Sequence, residues 1–155
     1  MGSSPNPSFW RLWTLSVLGC LTLAGCEKQY PNEKPVFPIT GVVKIDGVPQ
    51  EGIQVVFHDE RGVDVKQPTF PTAFTDAQGN LIVSTYANGD GAPAGNYLLT
   101  FIWGQINPLS MSYGGPDKLQ GRYADAEKSE FRLVVGEDVK NDLGVIDLST
   151  QPKSR

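Results

Sequence analysis

The chain has 155 residues, enough for one domain with its own core. Its 13 basic and 17 acidic residues leave a net charge of −4 with no Lys/Arg run, which speaks against nucleic acid as a partner. The 2 cysteines, Cys20 and Cys26, leave none further along for a disulfide or a thiolate metal site, and 17 Gly with 12 Pro suit turns and short strands over helices.

The first element reads as an export signal. Arg11 is the only charge before Cys26, and Leu12 to Leu23 is almost wholly apolar. A membrane-spanning helix needs about 20 apolar residues, so this stretch is too short to span stably. It has the length of a signal-peptide core and ends in small residues. Leu23-Ala24-Gly25-Cys26 looks like a bacterial lipobox. The expectation is removal of residues 1–25 and lipidation of Cys26. The plainer alternative is an ordinary secretory signal with a chance cysteine. Cleavage would take 25 residues from 155 and leave 130, with 12 basic residues against 17 acidic and a net charge of −5. Glu27 after the cysteine, where Asp is absent, is compatible by analogy with passage to an outer membrane.

Residues 26–38 follow as the lipidated cysteine and a tether. Pro31, Pro35 and Pro38 block helix and sheet pairing and favour extended geometry. Val36 and Phe37 have a second reading, as part of a first edge strand.

From Ile39 the apolar period becomes two. Val43 and Ile45 share a face, and Asp46-Gly47 is a hairpin signal. Ile53, Val55 and Phe57 point inward, with Gln54, Val56 and His58 outward. Residues 59–71 read as a loop and Thr72 to Thr75 as a strand. In Thr75-Asp76-Ala77-Gln78-Gly79-Asn80, Asp76 is placed to cap its own backbone and Gly79 to take positive φ. Leu81 to Tyr86 returns as a strand, and Asn88 to Gly95 is a tight loop. Tyr97, Leu99, Phe101 and Trp103 alternate along one long strand, expected at the centre of its sheet. Residues 104–122 show no period, though Pro116 to Gln120 suits one helical turn. Phe131, Leu133 and Val135 alternate again, Ile146 and Leu148 close the domain, and 150–155 is a polar tail. Seven strands at short spacing without a long amphipathic helix predict an all-β fold, a two-sheet Ig-like sandwich over residues 39–149.

Three of these segments together resemble a known family. Thr40-Gly41-Val42-Val43-Lys44-Ile45-Asp46-Gly47-Val48-Pro49, with Gly52 to Phe57, is similar to the opening of carboxypeptidase regulatory-like, transthyretin-like domains. Thr75-Asp76-x-x-Gly79-x-Leu81 is similar to their second signature, with Leu where Phe is commoner. Gly95-Asn96-Tyr97-x-Leu99 is similar to the third. The Gly89 to Gly95 loop and Lys118-Leu119-x-Gly121-x-Tyr123-Ala124-Asp125 resemble small lipoproteins of the planctomycete type. The resemblance implies a seven-stranded prealbumin-like β-sandwich and a non-catalytic accessory or surface module. It implies no ligand, and fold analogy does not supply one.

The residues nominate no catalytic group. His58 is the single histidine. Beside Asp59 and Glu60 it has the chemistry of a base or ligand, but such work needs partners converging in a pocket, and zinc catalysis needs several His or Cys. A lone strand-face His more often stays structural. No Gly-x-Ser-x-Gly elbow is present. No spacing nominates a pair of carboxylates for glycoside hydrolysis. Hydroxyisourate hydrolases share the transthyretin-like fold but carry several histidines, an arginine and a Tyr-Arg-Gly-Ser end. This chain ends Gln151-Pro152-Lys153-Ser154-Arg155 and departs from them at each element. Calcium is the ion that Asp76 and Asp90 would suit, yet the Asp-x-Asp-x-Asp-Gly spacing is absent and Asp beside Gly is usually turn chemistry. No metal or cofactor is therefore assigned. Tyr97, Phe101 and Trp103 share the inward parity of core residues. Tyr86, Tyr113 and Tyr123 lie in or near loops, as a candidate sugar- or peptide-binding platform or as caps on the domain edge. The long 104–122 segment is the first guess for a contact surface.

The expectation is a lipid-anchored, non-enzymatic module of the cell envelope, held to a bacterial membrane by Cys26. It would face the periplasm or the cell surface and meet an unknown envelope protein or glycan. The alternatives are a carbohydrate- or peptide-binding module and an accessory domain for an envelope hydrolase.

Overall fold

A computed structural model of the chain describes residues 33–107, 109, 110 and 112–151, with the side chain of residue 106 outside that description. The expected signal segment 1–25 with its lipobox-like Leu23-Ala24-Gly25, Cys26, the first part of the expected tether and residues 152–155 lie outside the described residues.

The described chain is all-β. Its strands are β1 (Val36–Phe37), β2 (Thr40–Ile45), β3 (Val48–Pro49), β4 (Ile53–Asp59), β5 (Thr72–Thr75), β6 (Leu81–Ser84), β7 (Ala92–Pro93), β8 (Gly95–Trp103), β9 (Gln105–Asn107), β10 (Ser112–Gly114), β11 (Arg132–Val135) and β12 (Asp142–Leu148). One 3₁₀ turn, Ala126–Lys128, is the only helical element among the described residues. Five strands form an antiparallel sheet in the order β11-β8-β4-β5-β6. Three form a second sheet, β12-β2-β3, in which β12 runs parallel to β2. β1 pairs with β7, and β9 with β10.

Alternation builds the core. Ile53, Val55 and Phe57 of β4, Leu99 and Phe101 of β8, and Leu133 and Val135 of β11 are buried from the larger sheet. Val43, Ile45, Ile146 and Leu148 are buried from the smaller one, and all join a single cluster. Polar side chains close the corners. The Thr75 hydroxyl donates to Gln50 O at 2.7 Å and accepts the Ile53 N–H at 2.9 Å, fixing the entry into β4. Asp46 and Gly47 both take positive φ, 49° and 81°, the two-residue hairpin geometry that Asp-Gly favours. Asp76 accepts the N–H groups of Gln78 and Asn80, and Gly79 has φ 77°.

Several expectations need correction. The 104–122 segment is not without structure: β9 and β10 form a hairpin within it, fastened by the Tyr113 hydroxyl, which accepts the Gly104 N–H at 2.6 Å and lies 3.0 Å from Gly52 O and 2.8 Å from Ile102 O. Pro116 to Gln120 is not a helical turn. The Asp117 carboxylate draws the Trp103, Leu119 and Gly121 N–H groups to itself, and Gln120 and Gly121 turn to φ 57° and 72°. This is the competition of a short acidic side chain with helical hydrogen bonding. The Leu81 strand ends at Ser84, before Tyr86, because Asp90 bends the chain by accepting the N–H groups of Thr85, Tyr86 and Ala87. Strand β8 is interior to its sheet, but β4 holds the centre. Val36 and Phe37 form strand, and their partner β7 lies inside the segment read as a plain loop.

Candidate functional site

The edge of β8 facing away from β4 borders a concavity among the described residues. β11 covers that edge only from Gly95 to Leu98. Beyond it, the Leu99 N–H goes to Phe131 O, the Phe101 N–H to Tyr123 O and the Trp103 N–H to Asp117. Residues 123–131 therefore touch the strand at both ends and bow outward between. The Asp125 carboxylate holds this bow, accepting the Glu127 N–H at 3.0 Å and the Lys128 ammonium at 2.7 Å. The pair is mutual: Lys128 holds the Asp125 carboxyl below its ordinary value, and Asp125 raises Lys128.

The bow forms one wall of a cleft of ≈ 490 Å³, and the end of β12 with the residues after it forms the other. Phe131 and Tyr123 give it an aromatic side, the Phe131 ring standing 5.0 Å from Phe101 and 6.1 Å from Tyr123. Arg122, Asp125, Lys128, Glu130, Asp147 and Gln151 supply charge and amide around it. The walls are cross-linked. The Ser149 N–H donates to the Tyr123 hydroxyl at 3.0 Å, and Arg122 Nη1 donates to Ser149 O at 3.1 Å. Asp147 accepts the Gly47 N–H at 2.9 Å. Asp46 takes the hydroxyls of Ser149 and Thr150, and the Thr150 hydroxyl is the chief reason its carboxyl lies below the ordinary value.

The cleft is lined by no His or Cys. Its two serine hydroxyls are engaged, Ser129 donating to Leu99 O and Ser149 to Asp46. Two cations and three carboxylates around an aromatic side suit a ligand that both donates and accepts hydrogen bonds.

The three tyrosines named from the sequence do not form one platform. Tyr86 lies beside the entering chain, its hydroxyl accepting the Lys34 N–H at 3.0 Å. Tyr113 belongs to the opposite end of β4, by Gly52, where its ring meets Phe74 at 5.0 Å and burial raises its phenol above the ordinary value. Only Tyr123 lines the cleft. Tyr97 is a core residue: its hydroxyl donates to Pro93 O at 2.9 Å, and burial pushes its pKa up to about 12.

The acidic cluster around His58 also disperses. His58 Nε2 is hydrogen-bonded to the Thr100 hydroxyl at 2.9 Å, Asp59 pairs with Arg61, and Glu60 pairs with Arg132. Asp76 and Asp90 spend their oxygens on the turns around them. Among the described residues, no three His, Cys, Asp or Glu are grouped to hold a metal ion.

Reasoning from the sequence missed Arg122, Asp125, Lys128, Phe131, Asp147 and Gln151. No local spacing marks them, because segments 122–131 and 147–151 meet through the Arg122 and Tyr123 side chains bonding the Ser149 backbone. No family model matches this chain, and neither a curated protein nor a solved structure matches it.

Proposed function

We propose that this chain is a lipid-anchored module of the bacterial cell envelope. In this reading a transthyretin-like β-sandwich without catalytic activity serves a structural or interaction role. One observation carries it: Leu23-Ala24-Gly25-Cys26 directly after the apolar run from Leu12. Two sheets that feed one core support the sandwich. The turns at Asp46-Gly47 and Asp76 to Gly79, on which the family resemblance leans, serve as turns. Each buried acyl CH₂ contributes about 0.8 kcal/mol, so several chains on Cys26 would hold the domain firmly where one would not.

Mass spectrometry of the native N-terminus is expected to find residues 1–25 gone and Cys26 acylated. Cys26→Ala is expected to move the protein from the membrane fraction to the soluble one. A native polypeptide beginning at Met1, or one with a free thiol that does not sediment with membranes, overturns the proposal.

The cleft favours a second reading, a saccharide-binding module. A sugar presents an apolar ring face to Phe131 and Tyr123, and hydroxyls that donate to carboxylates and accept from Arg122 and Lys128. Hydrogen bonds to charged groups contribute about 1.5–3 kcal/mol, so Lys128→Ala is expected to weaken binding of peptidoglycan oligosaccharides about tenfold or more. Tyr86→Ala is expected to leave it unchanged. Titration calorimetry that shows equal affinity in all three proteins removes this reading.

A further inference from the structure

The loop between β4 and β5, residues 60–71, exposes apolar side chains that the fold does not use. Val63 is 58 % exposed, Val65 93 % and Phe70 67 %. The loop is not free to wander. One Asp64 oxygen accepts the N–H groups of Lys66 and Gln67 at 2.9 and 3.2 Å, and the other meets the Lys34 ammonium at 2.8 Å. The same contacts hold the Asp64 carboxyl down to about 2, so this tie stays ionised across ordinary envelope pH.

Lys34 lies two residues before β1, and its backbone N–H donates to the Tyr86 hydroxyl. Asp64 of the exposed loop and the hydroxyl of the exposed Tyr86 therefore both hold Lys34, where the chain enters the domain. Cys26 lies eight residues before Lys34, and eight residues of any chain reach at most about 29 Å. A lipid on Cys26 would hold this end of the domain nearer the bilayer than any other. The loop's formal charges balance, with Arg61 and Lys66 against Glu60 and Asp64. Anionic headgroups would neither repel it nor draw it strongly, which leaves apolar contact as its means of attachment. Three large apolar side chains left exposed on one short loop are a candidate interaction surface.

We propose that Val63, Val65 and Phe70 dock into the surface of the same bilayer that holds the lipidated Cys26, with Tyr86 at the headgroup level, so that the domain lies against the membrane by its entry end. The inference rests on the lipid-anchor reading. Shallow insertion buries apolar groups about 5–10 Å into the boundary between headgroups and acyl chains.

The test uses the full lipoprotein reconstituted into vesicles of phosphatidylethanolamine and phosphatidylglycerol. With Cys26 acylated, a nitroxide label can be placed at Val65→Cys, Phe70→Cys or Glu51→Cys alone. Glu51 is exposed and precedes β4, at the end opposite Asp59. Labels at 65 and 70 are expected to be about tenfold less accessible to a water-soluble nickel relaxant than a label at 51, and more accessible to oxygen, as for groups immersed at that depth. Vesicle flotation is read in the same samples. If the protein floats but residue 65 is as wet as residue 51, the docking inference fails and the anchor stands. If the protein does not float, both fail. Spin–spin broadening between labels at residue 65 would show that a second copy covers the loop, which also overturns the inference.

Discussion

Phe101→Ala is expected to lower the free energy of unfolding by about 3–5 kcal/mol, the usual cost of deleting a buried aromatic ring. Phe101 is fully buried on β8, opposite Val55 of β4, with the Phe131 ring 5.0 Å away edge to face. Its ring stands in the cluster fed by both sheets, whose paired strands let the space it leaves close only in part. Total stability for a domain of this size is on the order of 5–15 kcal/mol, so the variant would lose a large share of it. Ile53→Val, on the neighbouring strand and also fully buried, is expected to cost only about 0.5–1.5 kcal/mol. Denaturant titration with an unchanged slope would assign both losses to the folded state. A loss below about 1 kcal/mol for Phe101→Ala would mean that the two sheets do not close over this ring.

How far the sequence reveals this fold depends on the reach of each interaction. A period of two needs only one chain segment, and Ile53, Val55 and Phe57 declare their burial without help from elsewhere. Turns are equally local. Asp46-Gly47 and Asp76 to Gly79 bond within themselves, so residue type and order suffice. Pairing between distant segments leaves no such mark. β1 and β7 have two residues each, with Pro93 in one of them, and nothing in either segment names the other. The parallel β12–β2 register joins residues about a hundred positions apart, and β12 begins four residues before the apolar pair that announced it. The β9–β10 hairpin has too few apolar residues to alternate, and it depends on a Tyr113 hydroxyl reaching Gly52 and Ile102. The cleft is the extreme case. Its walls come from residues 122–131 and 147–151, so Tyr123 could be noticed as a loop aromatic while Phe131 read as the first of an alternating set and Asp147 lay unremarked between Ile146 and Leu148.

Asp117→Ala is expected to cost about 3 kcal/mol, because hydrogen bonds to a charged acceptor contribute about 1.5–3 kcal/mol each and only part of that is recovered from water. The Asp117 carboxylate accepts three backbone N–H groups, those of Trp103 and Leu119 at 2.9 Å and of Gly121 at 2.8 Å. Leu119 is fully buried, so its N–H cannot turn to solvent without drawing that side chain out of the core. Trp103 ends β8, and its carbonyl accepts the Lys118 N–H at 3.0 Å while the Lys118 ammonium sits 4.4 Å from the centre of its ring. One carboxylate thus finishes the strand edge and seats the buried leucine. Asp117→Asn separates acceptor capacity from size. Its oxygen can still serve Trp103 and Leu119, but its amide N–H₂ would face the Gly121 N–H, donor against donor. The expected loss is about 1 kcal/mol, one unmade hydrogen bond at an exposed position. Hydrogen exchange should locate the effect: Trp103 and Leu119 amides lose protection in Asp117→Ala and keep most of it in Asp117→Asn. Unchanged protection at both amides in Asp117→Ala would show that this turn is held by its packing and not by the carboxylate, and the account given for the missing helical turn at Pro116 to Gln120 would fall with it.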